Sequence, residues 1–388
     1  MVERQIINTI KQLLTQVPVI TLLGPRQSGK TTLVRSCFPE FSYANLEDPK
    51  TRELAVNDYE GFFAKYSEPL IIDEVQRVPE LLSALQVRVD EKRTENGRFI
   101  LTGSHQTKLQ EGVAQSLAGR TSLITLLPLS IDEIRQSAET KLPETDELIL
   151  RGFMPELYRT NTRSPSVYYR DYLDTYIEKD LHQLIRVKDL NQFIKFLKLL
   201  AGRVGQVVNL SSLAGEAGIS STTLAEWISV LESSFVIIRL QPYFSNISRQ
   251  IVKSPKIYFS ETGLAAYLLG LENVEQVSRD PLRGLLFENL VVMDAFKTRF
   301  NRNKDANLFY LRTAKGVEVD LILKSESSLF PFEIKSAMTA TKEFSKNLKA
   351  FCAAEPSSKN PTVIYTGEEY PSFCGAAYIN YKNLNKKF

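Results

Sequence analysis

Along the first 130 residues, short apolar runs alternate with stretches whose apolar positions recur every three or four residues. The runs Pro18–Leu23, Ser42–Leu46, Pro69–Asp73, Arg98–Thr102 and Ser122–Leu127 predict strands. Lys30–Cys37, Thr51–Lys65, Glu80–Glu91 and Lys108–Leu117, lying between them, predict helices. Apolar strands separated by helices imply an α/β fold with a parallel sheet covered on both faces.

Residues 128–165 break this rhythm with Pro128, Pro143, Pro155 and Pro165 and the acidic stretch Glu144–Glu147. From Ser166 to Gly205 the pattern is helical. Tyr168, Tyr169, Tyr172, Leu173 and Tyr176, then Phe193, Phe196, Leu197 and Leu200, form aromatic and aliphatic stripes expected in a core. Over 209–243 one helix starts near Asn209 and ends at Gly218. A second is capped by Ser220–Thr223, and Phe235–Leu240 reads as a strand. Helix, tight turn, helix, strand is the layout of a winged helix-turn-helix. Beyond residue 246, a helix is expected at Gly284–Lys297 and strands at Leu308–Arg312, Val317–Leu323 and Leu329–Ile334. The expected organisation is three domains, 1–150, 151–245 and 246–388.

Composition changes this picture little: 388 residues, 43% hydrophobic and 24% charged, fit a globular chain of two or three domains. No apolar run approaches the roughly 18 residues of a membrane span, and the start lacks a signal-peptide layout. Cys37, Cys352 and Cys374 form no C-x-x-C pair and read as free thiols, so a cytoplasmic protein is expected. Charge is uneven: 17 Lys+Arg against 21 Asp+Glu over 1–150, 11 against 9 over 151–245, and 20 against 15 over 246–388. A basic rear is compatible with nucleic-acid contact and equally with a solvated surface.

Chemistry enters at Gly24-Pro25-Arg26-Gln27-Ser28-Gly29-Lys30-Thr31, followed by Thr32, which meets the full Walker A spacing between a strand and a helix. Its glycines allow backbone N–H groups to face phosphates, and the helix N-terminus favours anions. ATP and Mg²⁺ are therefore expected, with Lys30 on the β- and γ-phosphates and Thr31 on the metal. Leu70-Ile71-Ile72-Asp73-Glu74 is a strand ending in two acids, a Walker B pattern. Asp73 would hold Mg²⁺ through water and Glu74 would polarise the attacking water. Ser104, or second Thr102, is the candidate sensor of the γ-phosphate. Arg120 is a candidate finger acting on a neighbouring subunit, with Arg26 as an alternative cation.

These motifs resemble those of AAA-type ATPases of bacteria and archaea that carry a C-terminal domain of unknown function. The residues that carry the likeness are Gly24–Thr32, Asp73-Glu74-Val75-Gln76, Thr102-Gly103-Ser104 and Leu117–Thr121. It continues through Gly152–Leu157, Tyr176–Asp180, Phe287-Glu288 and Gly316–Asp320, with Lys179-Asp180 standing where Arg-Asp is expected. The resemblance implies an AAA-like core, a winged helix and a nuclease-like C-terminal fold. Asp320-x12-Glu333-Ile334-Lys335 has the spacing of a PD-(D/E)xK core, with Glu288 on the preceding helix. Those acids would bind a second Mg²⁺ and Lys335 would orient water. The winged helix faces a difficulty as a DNA reader: Ser220–Ser234 contains no Lys or Arg. Cations are expected instead from Arg239, Arg249, Lys253 and Lys256, and from Lys297, Arg299, Arg302 and Lys304. His105 and His182 have no evident partners. Three functions follow: an ATP-driven machine engaging DNA, as a homo-oligomer; a nucleotide switch gating a protein partner; and an ATP-regulated metal-dependent nuclease.

Overall fold

The computed structural model describes residues 2–104, 116–137, 142–159, 162–176, 190–244, 252, 254–314 and 316–388. The front apolar runs become β1 (Val19–Leu23), β2 (Ser42–Asn45), β3 (Leu70–Asp73), β4 (Phe99–Gly103) and β5 (Thr121–Thr125). All pair in parallel, in the order β2-β3-β4-β1-β5. Every residue of β1, β3 and β4 is buried, as a sheet covered on both faces requires.

The front helices are α1 (Ile6–Leu14), α2 (Lys30–Cys37), α3 (Pro49–Asn57), α4 (Tyr59–Lys65) and α5 (Leu81–Glu91). The pleat sends alternate strand residues to opposite faces. Ile20, Leu22, Ile71, Ile100 and Ile124 pack with Ile6, Ile10 and Leu33. Val19, Leu23, Leu70, Ile72, Phe99 and Leu101 join a larger core on the other face. The stretch expected as one helix over Thr51–Lys65 is two. Asp58 leaves helical backbone (φ −149°, ψ 81°), and its carboxylate caps α4 by accepting from Gly61 N–H at 2.8 Å. The helix expected at Lys108–Leu117 falls almost wholly outside the described residues, as do Lys179, Asp180, His105, His182, Arg249 and Lys253.

The middle of the chain adds α6 (Ile131–Gln136), α7 (Thr145–Arg151), α8 (Glu156–Arg159), α9 (Pro165–Tyr176), α10 (Leu190–Ala201), α11 (Leu210–Ala217) and α12 (Ser221–Ser233). The antiparallel pair β6 (Ile237–Leu240) and β7 (Lys256–Phe259) follows. Phe193 and Phe196 pack on Trp227 with centroids at 5.0 and 5.5 Å, so the aromatic stripe of α10 is core.

The rear comprises α13 (Thr262–Leu268), α14 (Val274–Arg279), α15 (Arg283–Asn301), α16 (Lys346–Ala354) and a six-stranded sheet. Its strands are β8 (Leu308–Arg312), β9 (Glu318–Ser325), β10 (Ser328–Lys335), β11 (Thr362–Tyr365), β12 (Tyr370–Phe373) and β13 (Ala376–Asn380), in the order β12-β13-β11-β10-β9-β8. β11 runs parallel to β10 and β13; the other pairings are antiparallel. Every side chain from Leu286 to Arg299 of α15 is buried. This helix touches β7, β10 of the rear, and α1 and β5 of the front, as a helix enclosed on all sides must.

Candidate active site

The loop after β1 is shaped by residues that tolerate unusual backbone. Gly24 lies at φ +154°, and a Cβ there would stand 2.1 Å from the Leu126 carbonyl oxygen. Gly29, at φ +91°, caps the N-terminus of α2. Inside the loop, Ser28 Oγ is buried without a protein partner among the described residues. Lys30 is buried, and its ammonium donates to the carbonyls of Gly24 and Pro25, each at 2.9 Å. A glycine-shaped loop, a buried lysine folded across it and an orphaned hydroxyl at a helix N-terminus fit a phosphate chain. Thr32 is exposed on the next position of α2.

Parallel pairing brings the end of β3 beside this loop. Thr31 Oγ1 donates to Asp73 Oδ2 at 2.9 Å, and Tyr43 OH donates to the same oxygen at 2.7 Å. Thr102 Oγ1 donates to Asp73 Oδ1 and accepts from Glu74 N–H at 3.2 Å. Burial, then the hydrogen bond to Asp73, pushes the Tyr43 hydroxyl far above its ordinary pKa, so it stays a donor. Glu74 is left-handed (φ 56°, ψ 47°), a conformation that a non-glycine side chain adopts at a cost. Its Oε2 accepts from Ser104 Oγ at 3.0 Å and from the Gln76 amide. A hydroxyl and a carboxylate that can share a hard divalent ion, and a second carboxylate beside them, are thus adjacent at the C-terminal end of the strands.

Sequence reasoning gave no role to Tyr43, Gln76, Arg4 or Tyr168 at this site. Tyr43 and Gln76 meet the acids only because of strand order and the turn after β3. Arg4, seven per cent exposed, donates to Ser28 O at 2.8 Å, Leu127 O at 2.7 Å and Glu133 Oε1 at 3.0 Å. It ties the phosphate loop to the capping box at the start of α6. A second tie is Tyr168 OH of α9, which donates to Gln27 Oε1. No spacing in the sequence signals either contact.

Residues 16–135 match the AAA domain family, while 142–275 and 283–384 each match a domain of unknown function (DUF8612 and DUF4143). Uncharacterized proteins of Mycobacterium tuberculosis and Mycobacterium bovis are each 31% identical to the chain over 372 residues, spanning 92% of it and 79% of the relative. The chain belongs to their family and carries an AAA domain over residues 16–135. Among solved structures, the Walker-type ATPase of Pyrococcus abyssi is similar at 15% identity and TM-score 0.47, covering 69% of this chain and 96% of that one. AMPPCP-bound DnaA of Aquifex aeolicus is similar at 14% identity and TM-score 0.31, covering 58% and 85%. Among the described residues, no helix is long and apolar enough to cross a membrane.

The expected finger of this AAA domain, Arg120, is not beside its own phosphate loop. It precedes β5 at the opposite end of the sheet, where its carbonyl accepts from Val19 N–H at 3.2 Å. Its guanidinium holds Asp90 through two 2.8 Å hydrogen bonds and keeps that carboxyl down at about 2.

The rear acids do converge. Glu288 of α15, Asp320 of β9, and Glu333 and Lys335 of β10 meet at one end of α15, with Lys335 Nζ 2.7 Å from Glu333 Oε1 and 3.7 Å from Asp320 Oδ2. Burial raises the carboxyl of Glu288 and, reinforced by Asp320, that of Glu333 to about 7. The second Mg²⁺ centre expected from these residues is not preassembled as a ligand group. Among the described residues, no group of three or more acid, histidine or cysteine side chains is arranged to hold a metal. Instead Lys256 of β7, two per cent exposed, places its ammonium 3.0 Å from Glu288 Oε1, 2.8 Å from Glu318 Oε1 and 4.0 Å from Asp320 Oδ1.

The expected surface cations fare similarly. Arg239 is engaged by Glu232, its Nε donating at 2.7 Å. Lys297 is buried, with its ammonium 3.8 Å from the centre of the Phe153 ring. Arg299 donates to Asp305 O at 2.6 Å and Arg302 to Asn385 O at 3.0 Å, leaving no cluster of four free cations there.

Proposed function

We propose that the chain hydrolyses Mg²⁺-bound ATP at the loop of Gly24–Thr31 and transmits its nucleotide state rearward. The observation that carries this reading is the junction of Thr31, Asp73 and Glu74 at the mouth of a loop lined by Lys30 and Ser28. Thr31 and Asp73 would hold the metal, which would supply positive charge at the phosphates. Lys30 exchanges its two carbonyl partners for phosphate oxygens. Glu74 has Oε2 committed to Ser104 and Gln76, so Oε1 is the atom that accepts a hydrogen from the attacking water. Ser104 thereby acts through Glu74 as well as facing the γ-phosphate. Arg120 serves only a neighbouring copy in an oligomer.

The rearward units we assign are 151–245 as a helical and winged-helix domain and 246–388 as a nuclease-like domain. Support for the first is the α11–Gly218–α12 turn, capped by Asn209 and Ser220, followed by β6, which pairs with β7 just beyond its boundary. Support for the second is a mixed sheet with Asp320 and Glu333 on adjacent strands. The proposed target is DNA; the cation-free face of α12 favours the rival, a switch gating a protein partner. Measuring ATP turnover with single-stranded, duplex and branched DNA separates them. DNA engagement predicts stimulation and binding that fall steeply between about 50 and 200 mM salt. Turnover indifferent to every DNA, with no binding, sinks the DNA target and leaves the switch.

A further inference from the structure

The carboxylate centre at the start of α15 lies between two family-matched stretches. Its four acids, Glu288, Glu318, Asp320 and Glu333, come from residues 283–384. Lys256 comes from 142–275, on β7, where its backbone pairs with Leu240 of β6 and bridges Val207. An ammonium has three N–H donors and no acceptor. Lys256 faces Glu288 at 3.0 Å, Glu318 at 2.8 Å and Asp320 at 4.0 Å, with the Tyr310 ring at 5.5 Å. The acid oxygens are further committed to protein donors. Glu288 Oε1 also accepts from Tyr258 OH at 2.5 Å, and Asp320 Oδ2 accepts from Ile334 N–H at 2.8 Å. Lys335 occupies Glu333 Oε1 at 2.7 Å, leaving Glu333 Oε2 as the one buried carboxylate oxygen here without a protein partner. A divalent ion would need several of these oxygens at about 2.0–2.6 Å, within touching distance of a buried ammonium that it repels.

We propose that this centre is built for an ammonium and not for a divalent metal. Lys256 is its resident cation, and it fastens β6–β7 to the six-stranded sheet. Two buried charges of opposite sign from different segments stay in place only as partners, so the lysine works as a latch between the segments. The centre is closed to metal-dependent phosphodiester cleavage while Lys256 is seated. This inference is independent of ATP hydrolysis at the front.

The test is Mn²⁺ binding to the full chain without nucleotide, followed by the loss of the free-ion EPR signal. All proteins carry Asp73→Asn, so the front site contributes nothing. With Lys256 present, no site forms in the micromolar range. Lys256→Ala gains one site, bound at least about tenfold more tightly than any in the parent, and adding Asp320→Asn abolishes it. Lys256→Arg, which keeps the charge, behaves as the parent. Should Lys256→Ala fail to fold, Lys256→Gln carries the same comparison. A parent that binds Mn²⁺ as tightly as the lysine-free variant overturns the proposal, because metal is then the resident cation. A folded lysine-free variant that gains no site overturns it equally.

Discussion

Glu74 combines a left-handed backbone with a carboxylate held by Ser104 and Gln76. Strain tolerated at a half-buried turn points to a side chain whose direction matters. Glu74→Gln keeps size and hydrogen-bonding partners but cannot take a proton. It should lower steady-state phosphate release by about a hundredfold or more while ATP still binds; normal turnover in a variant that binds ATP sinks the assignment. The motif residues were legible because Walker A and Walker B chemistry depends on local spacing around one strand end. Tyr43 and Arg4 were not. Tyr43 meets Asp73 through the β2–β3 pairing, and Arg4 crosses from before α1 to residues 28, 127 and 133. Neither relation leaves a periodic or motif signal. The rear acids were legible by the same logic as the Walker motifs, yet the lysine that sits among them comes from a strand more than thirty positions before Glu288.

At the scale of elements, α2 is fixed by what holds its N-terminal loop. Arg4 satisfies two buried carbonyls and the buried carboxylate of Glu133, which also accepts from Ser130 N–H at 2.8 Å and Gln5 N–H at 2.9 Å. Removing one partner of a buried ion pair leaves an uncompensated charge, which costs about 3–5 kcal/mol. Arg4→Ala should therefore lose about that much in urea unfolding and weaken ATP binding as well. A loss under about 1 kcal/mol, the range of surface pairs, contradicts the role given to Arg4. The front strands β1, β3 and β4 were readable because full burial makes them apolar runs. The rear strands β11 to β13 went unread, being four or five residues long with tyrosines and polar residues interleaved. The break between α3 and α4 hinged on Asp58 preferring a cap to a helix interior, which the apolar spacing overrode in the reading.

At the scale of the molecule, front and rear share buried ionisable groups. Asp294 of α15 accepts from Ile131 N–H at 2.7 Å, at the start of α6. Burial pushes its carboxyl up to about 6, while burial pulls Lys297 down to about 8 against the attraction of Glu261 and Asp294. From about pH 4 to 6 the folded chain holds more protons at Asp294 than the unfolded one, so this share of stability falls as pH rises. From about pH 8 to 10.4 the unfolded chain holds more protons at Lys297, so that share rises with pH. The Tm of the parent should accordingly gain on that of Lys297→Met by a few degrees between about pH 8 and 10. Parallel curves would show that Lys297 keeps its ordinary affinity for protons.

α15 has one more consequence. Glu288 is seated in the rear centre, while Asn301, thirteen positions on, donates to Glu133 at 3.4 Å and accepts at its carbonyl from Thr9 Oγ1 at 3.0 Å. A helix ties distance to angle, so inserting a single residue between them would turn one end by about 100° against the other. Both seats cannot survive that rotation. The length of this one helix is therefore an integer that the chain cannot vary, and insertions that lengthen the protein must go into its connections.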